Sequence, residues 1–237
     1  MSGGGTVRET EERVFRAHLL GERFLYRVRG GAQPLVAAPF DGIAWEALRQ
    51  EVLTCTRCEL HRTRTQAVFG SGTPHSKFMV IGEAPGFHED QQGEAFVGRA
   101  GQLLTKILEA IGLGRDQVFI TNILKSRPPG NADPEPHQVA ACEPYLERQI
   151  ELIGPAVILT LGRHAARTLL RTDGTMAALR GRVFEYRKVP VVATYHPAAL
   201  LRNPSLKRPT WEDVQLARKV YDERMSEGES DPEVDPE

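Results

Sequence analysis

Disulfide pairs, long apolar runs and nucleotide-loop signatures are all missing from this sequence, and each absence removes a class of protein. Three cysteines, Cys55, Cys58 and Cys142, stand in 237 residues, an odd count and too few for a disulfide scaffold. No uninterrupted apolar stretch approaches the roughly 18 residues that span a bilayer, so no membrane contact is expected. The opening MSGGGTVRETEERV has no apolar segment of the kind a secretory signal carries. A reducing cytoplasmic compartment is therefore expected, where a C-x-x-C pair points to metal or cluster ligation more than to a bridge. G-x-G-x-x-G and G-x-x-x-x-G-K-[ST] are also absent, which weighs against dinucleotide and P-loop enzymes.

What is present is enough for a globular domain. Apolar residues make up 41% of the chain, sufficient to bury a substantial core. The net charge of −1 hides an asymmetry, because residues 226–237 carry six acids and no base. Without them the body has a charge of +5, which permits a polyanionic partner without establishing one.

Three regions are expected. Residues 1–44 read as an N-terminal extension: 1–12 polar, Gly-rich and disordered, 14–28 able to dock as a helix or a strand. Residues 45–225 read as the main domain, and 226–237 as an acidic disordered tail. Within the main domain, β-rich runs at 78–81, 118–124, 157–161 and 189–195 alternate with helical patterns. Leu103, Leu104, Ile107, Leu108 and Ile111 give 98–111 helical spacing. A second helix is expected over 136–153, opening on a proline suited to a first turn. A third follows Gly162, and a fourth begins near Pro209 and runs towards Glu223. The alternation predicts an α/β three-layer sandwich with a central, mainly parallel four-stranded sheet. Ligands of such sheets bind at the loops leaving the C-terminal strand ends.

Two of those loops carry chemistry. Gly82-Glu83-Ala84-Pro85-Gly86 follows the first strand as a tight turn that lets backbone amides approach a ligand. Taken alone, it also reads as a structural turn with a solvated glutamate. Tyr195-His196-Pro197 leaves the last strand. A histidine there can donate to a developing oxyanion or act as a base, or simply be a satisfied structural residue.

Taken in order, GEAPG, Phe96-Val97-Gly98, Asn122, Arg127-Pro128-Pro129-Gly130-Asn131, Ala140-Ala141-Cys142 and His196-Pro197-Ala198 resemble the family 4, iron–sulfur type uracil-DNA glycosylases. The resemblance covers about 53–216. It implies a uracil-DNA glycosylase-like fold and hydrolysis of the N-glycosidic bond of uracil in DNA, leaving an abasic site for base excision repair. It implies that Glu83 activates or stabilises the attacking water and that His196 faces the oxygen on which charge develops. Gly82, Ala84, Glu89, Phe96, Asn122 and His196 would line the uracil site, with Phe96 stacking on the base, Asn122 reading its amide edge and Glu89 near C5. The implied partner is uracil-containing DNA, met by a monomeric, nucleoid-associated chain. Arg127, Leu200, Leu201 and Arg202 are the expected DNA contacts, with Leu200 or Leu201 as a wedge. Arg62, Arg64, Arg99, Lys125, Lys207 and Arg208 are further cationic candidates as a group.

The family's cofactor is a four-iron, four-sulfur (4Fe-4S) cluster on four cysteines. Cys55, Cys58 and Cys142 match three of them. The fourth position, sixteen residues before Cys142, is Ser126. A hydroxyl is a harder and poorer ligand than a thiolate. That leaves three outcomes open: a four-iron cluster with an oxygen or solvent ligand, a three-iron cluster, or none. His61 and His137 read as surface residues. The KRRIH insertion of a related cross-linking subgroup is absent from 125–137, which favours hydrolysis. The alternatives are a catalytically silent DNA-damage-binding or iron–sulfur module, and a small-molecule nucleotide enzyme on the same sheet.

Overall fold

The computed structural model describes residues 39–228 and the strand at 25–27. The expectations of disorder for 1–12 and for most of the acidic tail lie outside the described residues.

The described residues form a seven-stranded mixed sheet. In chain order the elements are β1 (Leu25–Arg27), α1 (Gly42–Leu53), β2 (Ser71–Gly72), β3 (Phe78–Gly82), α2 (Phe87–Gln92), α3 (Arg99–Ala110), β4 (Val118–Asn122) and α4 (Pro136–Ile153). They continue as β5 (Val157–Leu161), α5 (Arg163–Leu170), α6 (Met176–Leu179), β6 (Val183–Tyr186), β7 (Val189–Thr194), α7 (Pro197–Arg202) and α8 (Lys207–Gly228). The strand order is β1-β6-β7-β5-β3-β4-β2. Its centre, β7-β5-β3-β4, is the expected set of four parallel strands. Three short additions widen it: β6 and β2 pair antiparallel at either side, and β1 pairs parallel with β6. These three were not legible as strands. β2 has two residues, and the pairing of β1 resolves the helix-or-strand ambiguity of 14–28 only for Leu25–Arg27.

Alternation along the buried strands builds two cores. Met79, Ile81, Ile158, Val191 and Ala193 point to one face, under α1, α4 and α5. Phe78, Val80, Leu159 and Val192 point to the other, under α3 and α8. Period-two alternation does this automatically, since successive side chains of a strand leave opposite faces. Helix α3 supplies Leu104 and Leu108, both fully buried. Truncating either to alanine would cost about 2–5 kcal/mol. Helix α1, within which the expected domain boundary fell, is capped by Asp41, whose carboxylate accepts from Ile43 and Ala44 at 2.9 and 3.0 Å. It lays Trp45 edge-on against Phe69 and Phe119, at 4.9 and 5.1 Å between ring centres.

The outcome for function is geometric. The loops after β3, β4, β5 and β7 all open at the same end of the sheet, as parallel strands require.

Candidate active site

Asn122 ends β4 and Gly82 ends β3, directly paired across the ladder. Asn122 is 1% exposed, and its Oδ1 is buried with no hydrogen-bond donor. A buried unpaired acceptor is costly unless something fills it, so it marks a place prepared for a donor. Gly82 is required beside it. A Cβ there would stand 2.3 Å from Asn122 Oδ1 and 2.6 Å from the Phe96 ring, closing the pocket. The Asn122 backbone is held from behind by Lys125, which is fully buried and donates to the Asn122 carbonyl at 2.8 Å. Thr121 Oγ1 and Gln149 Oε1 accept its other two bonds at 2.6 Å each. Burial pushes the Lys125 ammonium down to about 7.

Phe96 forms the facing wall. It sits at φ 56°, a left-handed conformation that an aromatic residue adopts only when its surroundings hold it there. Arg115 does so, donating to the carbonyls of Ala95 and Phe96 at 2.7 and 3.1 Å. Gly101 in α3 provides the room, since a Cβ at that position would meet the Phe96 carbonyl oxygen at 1.8 Å. Glu89 braces the same turn: its Oε1 accepts from the amides of Val97 and Gly98 at 2.9 and 2.8 Å. The carboxylate expected beside the base therefore also holds the loop that carries Phe96.

His196 follows β7, with its ring 5.5 Å from that of Phe96. Its Nδ1 accepts from the Ala198 amide at 3.1 Å, so the neutral ring carries its proton on Nε2. Burial, with Arg202 adding to it, holds the imidazole down to about 4. At neutral pH the group is a neutral Nε2–H donor. The strand end that positions it is anchored by Asp213 of α8, which is fully buried. Asp213 accepts from Thr194 at 2.9 Å, Arg180 at 3.1 Å and the Gly181 amide at 2.9 Å.

Glu83 leaves β3 half-buried, and its carbonyl accepts from Leu124 at 3.0 Å. Burial pushes its carboxyl up, against a downward pull from His164 and Arg163. Ala84, next in the loop, is also half-buried.

A family model described as the uracil DNA glycosylase superfamily matches residues 69–217. The type-4 uracil-DNA glycosylase of Sulfurisphaera tokodaii is 45% identical over 74% of this chain and 84% of its own length. That of Archaeoglobus fulgidus is 46% identical over 67% and 83%, and that of Thermotoga maritima 41% over 73% and 92%. This chain belongs to the type-4 uracil-DNA glycosylases.

Around the pocket of this type-4 protein, the outer surface departs from expectation at several residues. Leu200 is 2% exposed and packs inward, whereas Leu201 is 43% exposed. Of the two expected wedges, only Leu201 can reach a partner, because α7 turns one leucine into the core and its neighbour out. Lys125 and Arg64 are not surface cations. Lys125 is the buried brace described above, and Arg64 spends its guanidinium on Ser126 Oγ at 2.8 Å and the Cys55 carbonyl at 2.8 Å. Arg62, Arg99, Arg202, Lys207 and Arg208 are exposed. Arg127 lies 5.2 Å over the ring of Phe87, which is 52% exposed at the start of α2. An exposed aromatic under a guanidinium beside the pocket suits a stacking contact. Nothing in the sequence singled out Phe87, Arg115, Asp133, His164 or Asp213. The partners that give them a role, Arg127, Phe96, Glu83 and Thr194, lie 19 or more residues away along the chain, beyond the reach of any local pattern.

The three cysteines gather at one side. Cys55 and Cys58 follow α1, and Cys142 lies buried in α4, near enough for each sulfur to raise its proton affinity along with burial. The sulfurs do not all lie within 4.8 Å of one another. At least one pair is therefore wider apart than the about 3.8 Å edge of a tetrahedron built on about 2.3 Å zinc–sulfur bonds. Ser126, buried beside them, offers a hydroxyl that already accepts from Arg64. The donor set is three soft thiols plus one hard oxygen. It fits a multi-iron cluster held through three thiolates better than a single ion. His137 is engaged elsewhere, bonded to Glu59 at 2.9 Å. No helix among the described residues is long and apolar enough to cross a membrane.

Proposed function

We propose that this protein hydrolyses the bond between uracil and deoxyribose in DNA, releasing free uracil and leaving an abasic site. The observation that carries the reading is the orphaned Oδ1 of Asn122, buried between Gly82 and Phe96. It suits the N3–H of uracil, while the amide nitrogen donates to O4. Cytosine presents the reverse pattern and would leave both groups unpaired, at about 1–3 kcal/mol each. The base must leave the duplex to arrive there, at a cost of roughly a few kcal/mol. Stacking on Phe96 recovers about 1–3 kcal/mol of that.

As the C1′–N1 bond breaks, its electron pair leaves with uracil and the sugar acquires cationic character. The Nε2–H of His196 donates to the uracil oxygen that becomes negative. A neutral donor does this without stabilising the ground state as strongly as an imidazolium would. The Glu83 carboxylate orients a water towards C1′ and stabilises the cationic sugar. The water's oxygen bonds to C1′ and its proton departs to the carboxylate or solvent. Arg127, Leu201 and Arg202 contact the DNA around the lesion.

The proposal extends to an iron–sulfur cluster held by Cys55, Cys58 and Cys142 with Ser126 at the fourth position. Bound there, it would tie the end of α1 to α4 as a structural cross-link, with no part in bond cleavage.

The test is incubation of the full-length chain with an oligonucleotide bearing one deoxyuridine, followed by hot alkali. Strand scission at that site together with free uracil is expected. Retention of uracil-containing DNA without scission would leave a damage-binding module instead.

A further inference from the structure

Each central strand delivers one ionisable or polar group to the pocket end of the sheet, and one trio there sets Glu83 beside two residues, Asp133 and His164, that have no role in the chemistry above. Glu83 follows β3, Asp133 lies in the loop after β4, and His164 stands in the first turn of α5 after β5. Their carboxylate and imidazole atoms all lie within 4.8 Å of one another. His164 Nε2 is 3.3 Å from Asp133 Oδ2, and Arg163 reaches His164 at 3.2 Å and Asp133 at 3.7 Å. These three, Arg163 and His164 from α5 and Asp133 from the β4 loop, are the charged groups that act on Glu83.

We propose that His164 and Asp133 are opposed positioning residues that set the charge on Glu83. His164 favours the carboxylate that orients water, and Asp133 restrains it. The assignment rests on the glycosylase reading for the role of Glu83, but not for the electrostatics. Glu83 needs such help because half-burial works against its charge, and bound DNA phosphates add further negative potential beside it. The burial-driven rise at Glu83, with His164 lowering and Asp133 raising it, agrees in sign.

The opposed signs make the test decisive, since a merely structural role would move both variants the same way. The Glu83 side-chain carboxyl is titrated by carbon NMR in the full-length free protein, with Glu83→Gln identifying its resonance. His164→Gln is expected to raise the titration midpoint by about one pH unit, the low end for losing an opposite charge within 4–6 Å, because Asp133 is largely exposed. Asp133→Asn is expected to lower it. Single-turnover excision on a single-stranded deoxyuridine oligonucleotide is then measured from pH 4.5 to 9. One unit below the parent's acid midpoint, His164→Gln is expected to run about tenfold slower than the parent, following the tenfold loss of ionised carboxylate per pH unit. Asp133→Asn is expected to run faster there, and the profiles to draw together as pH rises. Shifts of the same sign, or none, in the NMR titration overturn the proposal whatever the activity. Opposed NMR shifts in a parent that excises nothing uphold the charge pair and reject the glycosylase reading.

Discussion

Each group of the proposed site is held by its surroundings before any substrate arrives, and single substitutions separate their contributions. Glu83→Gln and His196→Ala are each expected to lower single-turnover excision about a hundredfold or more, with DNA affinity changed far less. That is the usual worth, about 2.7–4 kcal/mol, of a preorganised group aimed at developing charge. Near-parental rates in both would remove them from the mechanism. The acid limb separates the two residues. Burial holds His196 at about 4, so it is neutral from pH 5 upward and its protonation contributes nothing to an acid limb above that pH. His196→Ala should therefore be slow yet keep the parent's acid limb, whereas Glu83→Gln should flatten it. Loss of the limb in His196→Ala would reassign it. In the proposed reading Asn122 governs choice of base. Asn122→Asp is expected to excise uracil poorly and to acquire detectable cytosine excision, because a buried protonated acid matches cytosine's reversed edge. Unchanged uracil excision would show that recognition lies elsewhere.

At the scale of elements, short helices and turns translate a strand end into a usable side chain. The Phe96 turn depends on Arg115, from the turn before β4, gripping two carbonyls, and on Gly101 of α3 leaving room for the Phe96 carbonyl. Gly101→Ala would set a methyl 1.8 Å from a backbone oxygen, so the turn must move. Weaker binding of uracil-containing DNA and a lower melting temperature are expected together. An alanine variant with parental KM and stability would show that the turn tolerates displacement. Helix α7 makes a second test, because it splits two adjacent leucines between core and solvent. Leu200→Ala is expected to destabilise the protein by about 2–5 kcal/mol, as a core truncation does. Leu201→Ala should leave stability within about 0.5 kcal/mol and slow excision more on double-stranded than on single-stranded DNA. The opposite pattern would exchange their roles.

Across the whole molecule, the thiol site and the proposed uracil pocket share one segment, from Asn122 through Lys125 to Ser126. Lys125 bonds the Asn122 carbonyl with its side chain, and its backbone amide faces the Cys142 sulfur. Cross-linking α1 to α4 would therefore steady the pocket from behind without entering the reaction. Ser126→Cys completes a four-thiolate set and is expected to bring more iron and sulfide per chain, stronger visible absorbance and a higher melting temperature. Activity per folded molecule should change little. Anaerobic reconstitution that loads no iron into either protein would make the three cysteines ordinary thiols. Equal loading of both would show that a fourth thiolate is not needed to hold the cluster.

Much of this protein was determined by its sequence alone. The four parallel strands, α3, α4 and α5 followed from period and punctuation. The ordered motifs from GEAPG to His196-Pro197-Ala198 identified the family and named Glu83, Asn122, Phe96 and His196. Such features are legible because the signal lies within a few residues: alternation along a strand, apolar spacing on a helix, a turn after a run. The edge strands were not legible, since two or three residues hold too little pattern to declare pairing. Nor were the fates of Leu200 against Leu201, of Lys125 and Arg64, or the meeting of Glu83, Asp133 and His164. Burial and charge environment are set by which distant segments arrive at the same place, and only the folded chain brings β3, β4 and β5 to one end. A lysine beside a strand reads as a surface cation until three acceptors close around it. Two adjacent leucines read alike until a helix turns one of them inward.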